Sequence, residues 1–534
     1  MSQMLKSSAA MAGATMFSRV LGLVREQAYA QFMGDTAVAS AFKFAYQVPN
    51  LFRRLLGEGA LTAAFVPIFK RKEQTEGEEA MWEAANATMS GVIVATALIT
   101  GLVMVGVSVV LSLSHVTYTQ GGKAVFPPYP IPILNPDTRL MLELLRLMFP
   151  YLMLVCLAAL CMGMLNARGY FFLPALGATL LNVVMIVTVF FIAPRCGQTL
   201  REQIFALGVA VLVAGAAQFL FQVPVLRRQG WRYRWVTPWG NPTVREVVRK
   251  MIPGTLGVAA FQLNVLIIQS VAFSVDRTIV ASFDYAVRLM EFPQGVFGIS
   301  LATYMLPTLA GLAAEKRYDG FKQTLNEGIG FLLFMNLLAA AMLLALAQPV
   351  VRLIFERGAF TPDSTRRAAA ALLCLAPGLA AFSTVNVLAR AFYALGDTKT
   401  PMMISAFCLG LNVVISLWLI GPLKQAGLGA ANTTTSFVHM WLLFRALGKK
   451  LKTYEVRPLL RPALTMAAAA AAAGLTAWGA DALWTAHLGR SNLLLRAGEV
   501  AGPGAAGAAV YFLVAWALRL PQLGQLIAML RRGK

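Results

Sequence analysis

Long apolar segments separated by short polar loops run along the whole chain. A helix needs roughly 20 consecutive apolar residues to cross the hydrocarbon core of a bilayer. On this criterion the pattern predicts about fourteen transmembrane helices and no large soluble domain. The predicted spans are 9–33, 36–70, 82–114, 138–165, 170–193, 202–227, 245–275, 278–310, 325–355, 364–395, 399–421, 425–447, 461–482 and 497–519. We therefore expect an all-α, polytopic integral membrane protein.

Three helix-breaking residues of the fourth and fifth predicted helices recur 227 positions later, in the tenth and eleventh. They are Pro150, Gly169 and Pro174, matched by Pro377, Gly396 and Pro401. This internal repeat predicts two six-helix lobes in the same orientation, followed by an extra helix pair. Parallel repeats around a central site are an architecture of transporters.

The repeat and the loops divide the chain into four predicted parts. An N-lobe covers 1–227, an amphipathic cytoplasmic linker 228–244, and a C-lobe 245–448. The remainder, 449–534, contains the C-terminal helix pair and tail. The linker carries Trp231, Trp235 and Trp239 among arginines, a composition typical of the headgroup boundary. In the C-terminal pair, the small-residue run at 467–474 fits either close packing or a loosely specified helix.

Composition and charge placement support the membrane class. Hydrophobic residues make up 58% of the chain and charged residues 13%, whereas soluble domains average about 25% charged residues. The net charge is +22, but the basic residues cluster in short loops, which is the positive-inside pattern and not a nucleic-acid surface. Both termini and the loops near 75, 236 and 454 are therefore expected in the cytoplasm. The loops near 120, 361 and 488 are expected in the periplasm.

Several cationic side chains interrupt the apolar segments. Arg19 and Arg25 lie in the first, Arg53 lies in the second, and Arg288 lies in the eighth, three residues before Glu291. A charge at mid-bilayer costs about 2.5–3.5 kcal/mol on insertion scales, so such residues usually face a wet cavity. Guanidinium groups match phosphate, which they hold through two parallel hydrogen bonds. The arginines thus predict a central cationic cavity for a phosphate-bearing ligand.

The same charges are also compatible with roles that need no ligand. Internal ion pairs, or side chains that snorkel to the interface, would account for them too, particularly for Arg25 beside Glu26. Arg288 and Glu291 share a helix face and are expected to pair when no ligand is bound. Lys43 and Asp284 lie close to the candidate cavity, either as ligand-binding groups or as structural ones. Ser18 and Asn50, in the same segments as the arginines, complete the predicted substrate-binding set.

Helix breakers cluster in the second and eighth segments. We predict gating hinges at Gly57, Gly59, Pro293 and Gly295, since such residues let membrane helices bend. A static kink is the alternative. No catalytic or metal site is predicted, because the chain's three histidines stand in no metal or general-base pattern.

Four stretches resemble a known family: MFSRVLGLVRE (16–26), VPNLFRRLLGEGALTAAFVP (48–67), RLMEFPQGVFG (288–298) and GPLKQAGL (421–428). They are similar to the MurJ (MviN) family, the lipid II flippases of bacterial peptidoglycan synthesis. That family is part of the multidrug/oligosaccharidyl-lipid/polysaccharide exporter superfamily. The resemblance implies fourteen helices around a V-shaped cationic cavity and an extra helix pair that accommodates the lipid tail. It places the cavity arginines at Arg19, Arg25, Arg53 and Arg288, with the partner glutamate at Glu291.

The resemblance implies a function in the inner membrane. The substrate would be lipid II, the undecaprenyl-pyrophosphate-linked disaccharide-pentapeptide, carried between leaflets by alternating access. No cofactor is implied, but membrane potential and, in some relatives, a monovalent cation take part. Membrane lipids are expected partners, and cell-wall synthesis proteins are further candidates. Some relatives carry acidic or basic residues where this chain has Ser40, Gln47 and Val287, and Lys43 and Asp284 are the candidates to replace the last two charges.

Two rival functions remain at this point. One is a transporter of the same superfamily that exports another polyprenyl-pyrophosphate saccharide or a drug. The other is a non-transporting scaffold of the cell-wall synthesis complex. A pump for cationic drugs should carry acidic residues in its cavity, and this chain carries arginines.

Overall fold

The protein is described from a computed structural model that covers residues 2–57, 60–114, 118–120, 123–125, 134–451 and 457–532. Backbone contacts divide the chain into two units, unit 1 (Met1–Phe273) and unit 2 (Ser274–Lys534). The four-part division expected from the sequence remains a prediction.

Unit 1 is built from helices, with one small hairpin between the third and fourth. The helices are α1 Ser2–Met33, α2 Ala37–Phe52, α3 Ala60–Leu113, α4 Pro136–Met148, α5 Tyr151–Ala167, α6 Phe172–Val187, α7 Leu200–Arg228 and α8 Pro242–Val275. The hairpin pairs β1 Tyr118–Gln120 with β2 Lys123–Val125 in antiparallel register. The core of the unit lies between α3 and α5, where Phe65, Phe69 and Met164 are fully buried.

In the described residues of unit 2, all regular secondary structure is helical. The helices are α9 Ile279–Pro293, α10 Ser300–Ala314, α11 Tyr318–Ala345, α12 Ala347–Phe355, α13 Pro362–Leu375, α14 Leu379–Ala394, α15 Lys399–Lys450, α16 Arg457–His487, α17 Leu493–Ala517 and α18 Pro521–Arg532. Short π-helical segments occupy Arg53–Gly57, Thr188–Ile192 and Gln294–Ile299, and 3-10 turns occupy Ala193–Arg195 and Ala376–Gly378. The expectation of an all-α membrane protein is confirmed.

Within the described residues, eight helices are long and apolar enough to cross a membrane, or nine if the bent pair α4–α5 forms one span. The predicted number of about fourteen is therefore not established. Part of the difference arises because two very long helices each correspond to two predicted spans. At about 1.5 Å per residue, the 52 residues of α15 would extend roughly 78 Å, more than twice the hydrocarbon thickness.

Helix α15 contains a sharp break inside the stretch GPLKQAGL. Lys424 has φ 49° and ψ −127°, which is not helical. Its Nζ lies 2.7 Å from Asp276 Oδ2, in the loop before α9. A Cβ on Gly427 would lie 2.4 Å from the carbonyl oxygen of Leu419, so only glycine permits this close approach of the backbone. The break falls at the predicted boundary between 399–421 and 425–447.

The internal repeat is visible in the local structure of both units. Gly169 follows α5 with φ 86°, and Gly396 follows α14 with φ 72°, both in the left-handed region that favours glycine. The next amide closes the same turn in each case: Tyr170 N–H donates to Leu165 O, and Asp397 N–H donates to Phe392 O, both at 2.9 Å. The matched glycines thus mark equivalent helix ends.

The C-terminal helices α16 and α17 pack closely against each other and against α11. A Cβ on Gly507 would lie 2.7 Å from the carbonyl oxygen of Ala473, and Ala473 is itself fully buried. The Tyr511 hydroxyl donates a 2.7 Å hydrogen bond to Phe334 O. Of the two interpretations of the alanine run, close packing is therefore the one observed.

The segment between α7 and α8 is not helical and is bound along α3. Trp231 Nε1 donates to Asn86 Oδ1 at 2.9 Å, and Asn86 Nδ2 donates to Arg232 O at 3.1 Å. One turn along α3, Ser90 Oγ accepts from Val236 N–H at 3.3 Å and lies 3.2 Å from the Tyr233 hydroxyl. These bonds fix the path of the linker on unit 1.

Candidate functional site

A buried group of charged side chains joins α1, α2 and α6 in unit 1. Glu26 is only 3% exposed and lies at its centre. Arg25 NH2 donates to Glu26 Oε1 at 2.7 Å, and Lys43 Nζ donates to Glu26 Oε2 at 3.3 Å. Arg25 NH1 donates to Asn182 Oδ1 at 3.0 Å. We call Arg25, Glu26, Lys43 and Asn182 the buried cluster.

The remaining contacts of the buried cluster hold its cations in position. Asn182 Nδ2 donates to the carbonyl oxygen of Ser18 at 3.2 Å, which ties α6 to α1. The guanidinium of Arg25 lies 5.5 Å from the ring centroid of Tyr29, one turn further along α1. A cation over an aromatic face gains electrostatic attraction from the ring.

The buried cluster carries two cations and one anion among its ionisable groups. Arg25 is paired with Glu26 inside the protein, and its side chain is only 13% exposed. It therefore does not snorkel to the interface. Because one carboxylate cannot neutralise two cations, the four side chains together carry a net positive charge. Guanidinium and ammonium groups bind phosphate, so the cluster offers two cationic groups to an anionic ligand.

The other predicted residues of unit 1 have different surroundings. Arg19 is exposed, and the described residues offer it no hydrogen bond or ion pair. Arg53 is half-buried and begins the π-helical segment. Asn50 is 8% exposed, and its Oδ1 accepts no hydrogen bond from the described residues. Ser18 contributes its backbone carbonyl to Asn182. The structure thus joins Arg25, Lys43 and Ser18 through Glu26 and Asn182.

In unit 2, Arg288 and Glu291 form the expected ion pair on α9. Arg288 NH1 lies 2.9 Å from Glu291 Oε2. The two side chains are 39% and 52% exposed, so neither group is enclosed by the protein. Asp284, one turn before Arg288, is half-buried. An accessible pair of this kind can open at low cost when another anion approaches the arginine.

The predicted hinge residues coincide with departures from α-helical geometry. Gly57 ends the π-helical segment Arg53–Gly57, and Pro293 is followed by the π-helical segment Gln294–Ile299, which contains Gly295. Gly59 lies outside the described residues. Each unit therefore has a π-helical segment between its predicted ligand-binding helix and the next helix. Segments of this type often occur at functional positions, and bending at them remains a prediction.

Two members of the buried cluster, Glu26 and Asn182, are not among the site residues predicted from the sequence. In the sequence Glu26 is only a neighbour of Arg25 near the end of a helix, and nothing there reveals which side chains become buried. Asn182 lies 157 positions from Arg25, beyond the reach of any local pattern. Its one sequence signal is an amide inside the apolar run LLNVV at 180–184. Within the described residues, no group of three or more His, Cys, Asp or Glu side chains could hold a metal ion.

Comparison with known proteins identifies the family. The family model described as lipid II flippase MurJ matches residues 29–497. The chain belongs to the lipid II flippase MurJ family. A probable lipid II flippase MurJ of Vibrio cholerae is 33% identical over 83% of this chain and 83% of its own length. The corresponding protein of Rhizobium meliloti is 32% identical over 99% of this chain and 97% of its own.

Solved structures agree on the fold. A lipid II flippase MurJ in an inward closed conformation superposes with a TM-score of 0.75 at 19% identity, covering 95% of this chain and 98% of that one. An inward-facing multidrug resistance transporter of the MATE family has a TM-score of 0.63 at 13% identity, covering 83% and 98%. Membership of the MurJ family, together with the long apolar helices, makes this a multi-pass protein of the bacterial inner membrane. The fold is shared with transporters outside the MurJ family.

Proposed function

We propose that this chain is a lipid II flippase, which moves the undecaprenyl-pyrophosphate-linked disaccharide-pentapeptide from the inner to the outer leaflet by alternating access. The observation that carries the proposal is the buried cluster, in which Arg25 and Lys43 share the carboxylate of Glu26. Lipid II is the substrate named for the relatives from Vibrio cholerae and Rhizobium meliloti. Both termini are proposed to be cytoplasmic, and no catalytic step is involved.

The chemistry of the substrate fits these residues. The pyrophosphate head is charged and cannot cross hydrocarbon unaided, whereas the prenyl chain never has to leave it. Arg25 can hold a phosphate through two parallel hydrogen bonds, and Lys43 supplies a second positive charge. The phosphates of the substrate then bind these two cationic groups. Membrane potential or a monovalent cation is proposed as the energy source, without a bound cofactor.

The rival functions fit the buried cluster less well. A pump for cationic drugs requires a carboxylate that is available to the drug, but two cations already hold Glu26. An exporter of another polyprenyl-pyrophosphate saccharide would use the same phosphate chemistry, and only family membership favours lipid II over it. A scaffold without transport activity has no need for charged residues inside apolar segments, which are costly to insert into a membrane.

Growth complementation tests the cationic residues directly. In cells depleted of their own lipid II flippase, Arg19→Ala, Arg25→Ala, Arg53→Ala and Arg288→Ala should each fail to support growth while the protein is still inserted in the membrane. The reason is the loss of a phosphate-binding cation. Arg228→Ala, which removes an exposed charge at the end of α7, is the matched control and should support growth. Normal growth with any two of the four variants at normal expression would overturn the proposal.

A further inference from the structure

The linker and the start of α8 lie at the level where the membrane surface is expected. On α3, the charged residues at 70–79 are followed, from residue 92, by an apolar stretch to Leu113. At about 1.5 Å per residue this stretch is roughly 33 Å long, close to the hydrocarbon thickness. Its side chains Leu98, Leu102 and Val105 are more than 60% exposed, as expected for a lipid-facing surface. Gly91 therefore directly precedes the uninterrupted apolar part of the predicted span 82–114, towards the end of that span that is nearer the basic loop.

The linker meets α8 beside Gly91. A Cβ on Gly91 would contact the side chains of Val244, at 3.3 Å, and Pro238, at 3.8 Å. The end of the linker and the first turn of α8 are therefore packed against α3 at the depth of Gly91. Asn241 starts the helix, with its Oδ1 accepting from Thr243 N–H at 2.9 Å. The position of this region is thus set by contacts within unit 1.

A surface depression of about 320 Å³ opens here, between the end of the linker and one face of α8. Arg245, Val248, Arg249 and Ile252 line it, and all four are exposed. Their spacing of three and four residues places them on the same side of the helix. The depression therefore combines two guanidinium groups with two apolar side chains. The linker that leads to it carries the exposed indoles of Trp235 and Trp239.

The positive charge of this face is not neutralised by the described residues. The nearest acid in sequence, Glu246, is bonded to Arg71 NH2 at 2.6 Å and to Lys250 Nζ at 2.9 Å. Because Glu246 already pairs with two other cations, it does little to neutralise Arg245 and Arg249. Neither Arg245 nor Arg249 makes an ion pair or side-chain hydrogen bond with any described residue. Two cations are thus available to a ligand from outside the chain.

We propose that Arg245 and Arg249 form a binding site for an anionic phospholipid of the leaflet that faces the basic loops. The lipid phosphate binds the two guanidinium groups, and the upper acyl chain lies along Val248 and Ile252. Trp235 and Trp239 occupy the headgroup layer, where indole rings are typically found. The site lies on unit 1 at the membrane boundary and is separate in sequence and in its contacts from the buried cluster.

The surroundings favour a phospholipid as the occupant. Val248 and Ile252 are exposed apolar side chains beside the two guanidinium groups, and a soluble anion would leave them uncovered. A zwitterionic lipid supplies a phosphate too, but its ammonium group is repelled by the two arginines. Basic residues near an anionic membrane surface contribute about 1 kcal/mol each, or about fivefold in affinity.

The test is a titration of the purified full chain with phosphatidylglycerol and, separately, phosphatidylcholine, followed by native mass spectrometry. Arg245→Gln/Arg249→Gln should weaken phosphatidylglycerol binding about twenty-five-fold, following the roughly fivefold contribution expected per charge. Arg245→Lys/Arg249→Lys should retain most of the binding, because lysine keeps the charge. Lys449→Gln/Arg461→Gln removes two exposed charges from unit 2 and is the matched control, which should bind as wild type does. Thermal unfolding checks that each variant is folded.

Two outcomes would overturn the proposal. One is binding of phosphatidylglycerol by the Arg245/Arg249 glutamine variant within about twofold of wild type, against the effect expected for two charges. The other is an equal loss in the control variant, which would mean that net charge, and not this site, attracts the lipid. Because the assay contains no lipid II, its result leaves the proposed flippase function untouched.

Discussion

Glu26 is the residue on which the buried cluster depends. It is nearly inaccessible to water and accepts hydrogen bonds from both Arg25 and Lys43. The sequence is sufficient to single out Arg25 and Lys43 as candidate site residues, because charges inside apolar segments are rare. It cannot predict that Glu26 pairs with Lys43, since that contact depends on how α1 and α2 pack.

Glu26→Gln should therefore destabilise the protein. Removing one partner from a buried ion pair costs about 3–5 kcal/mol, because the remaining charges stay desolvated. Inorganic pyrophosphate should raise the melting temperature of Glu26→Gln more than that of wild type, since an anion can replace the missing carboxylate. Thermal unfolding in detergent measures both effects.

A surface pair provides the control for this variant. Glu143→Gln removes the partner of Arg139 in a pair that is about one-third exposed, and should cost less than about 1 kcal/mol. Wild-type stability of Glu26→Gln, or an equal response of the variant and wild type to pyrophosphate, would contradict the role given to the buried cluster.

The pair formed by Arg288 and Glu291 supports a prediction about release of the substrate. If pyrophosphate competes with Glu291 for Arg288, the Arg288–Glu291 contact differs between the ligand-bound and ligand-free states. A ligand can shift a conformational equilibrium only through such a difference. Glu291→Gln should then bind lipid II at least as tightly as wild type but transport it more slowly. Native mass spectrometry and a flipping assay in cells measure the two quantities on the same variant.

Asp319→Asn is the matched control, because Asp319 and Lys322 also form an ion pair at a spacing of three residues in unit 2. It should change neither lipid II binding nor transport. Weaker binding of lipid II by Glu291→Gln would show that the glutamate contacts the substrate or positions Arg288, and would rule out the competition model.

At the level of elements, turns are easier to predict than long helices. Gly169 and Gly396 are recognisable because a helix end with positive φ favours glycine, and both glycines end their helices in the same way. The π-helical segments at Arg53–Gly57 and Gln294–Ile299 are expected from the sequence only as kinks. In a π-helical segment, hydrogen bonds join residues five apart and not four apart. This change depends on packing, for which the local sequence carries no signal.

One element contact that the sequence does not reveal connects the C-terminal pair to the rest of unit 2. Arg352 NH1, near the end of α12, lies 2.5 Å from Glu499 Oε1 on α17, and Glu499 is 1% exposed. Arg496 NH2 lies 3.5 Å from Glu356 Oε1, and the Thr365 hydroxyl donates to the other oxygen of Glu356 at 2.7 Å. The buried pair Arg352–Glu499 therefore joins α17 to α12, and Glu356, just after α12, connects Arg496 of α17 with Thr365 of α13.

Arg352→Met should destabilise unit 2 by about 3–5 kcal/mol, because Glu499 would remain buried without its closest cation. Adding Glu499→Leu should recover much of this loss, because no uncompensated charge is then left. Chemical or thermal unfolding of the two single variants and the double variant measures the coupling. Additive losses would mean that the two side chains do not interact in solution.

For the whole molecule, the apolar pattern is enough to predict the class of protein, and four short stretches are enough to predict its family. Both follow from features that are local in sequence: the length of apolar segments and the residues around the helix breakers. The number of spans depends on how α3 and α15 are divided, because each consists of two helical parts joined at a non-helical residue, Gly77 in α3 and Lys424 in α15. The partners of the arginines cannot be predicted, since Asn182 and Glu26 reach them only through tertiary packing.

Measuring the amount of lipid II in the outer leaflet of living cells tests the proposed function most directly. In cells depleted of their own flippase, wild-type protein should restore lipid II to the outer leaflet, where an externally added enzyme or probe can reach it. Arg25→Ala should leave lipid II in the inner leaflet, although the protein is present in the membrane, because the buried cluster has lost the guanidinium that binds phosphate. Equal amounts of accessible lipid II in cells with wild type and in cells with Arg25→Ala would contradict the role of the buried cluster in transport. If wild-type protein restored no lipid II to the outer leaflet, the flippase function itself would be contradicted.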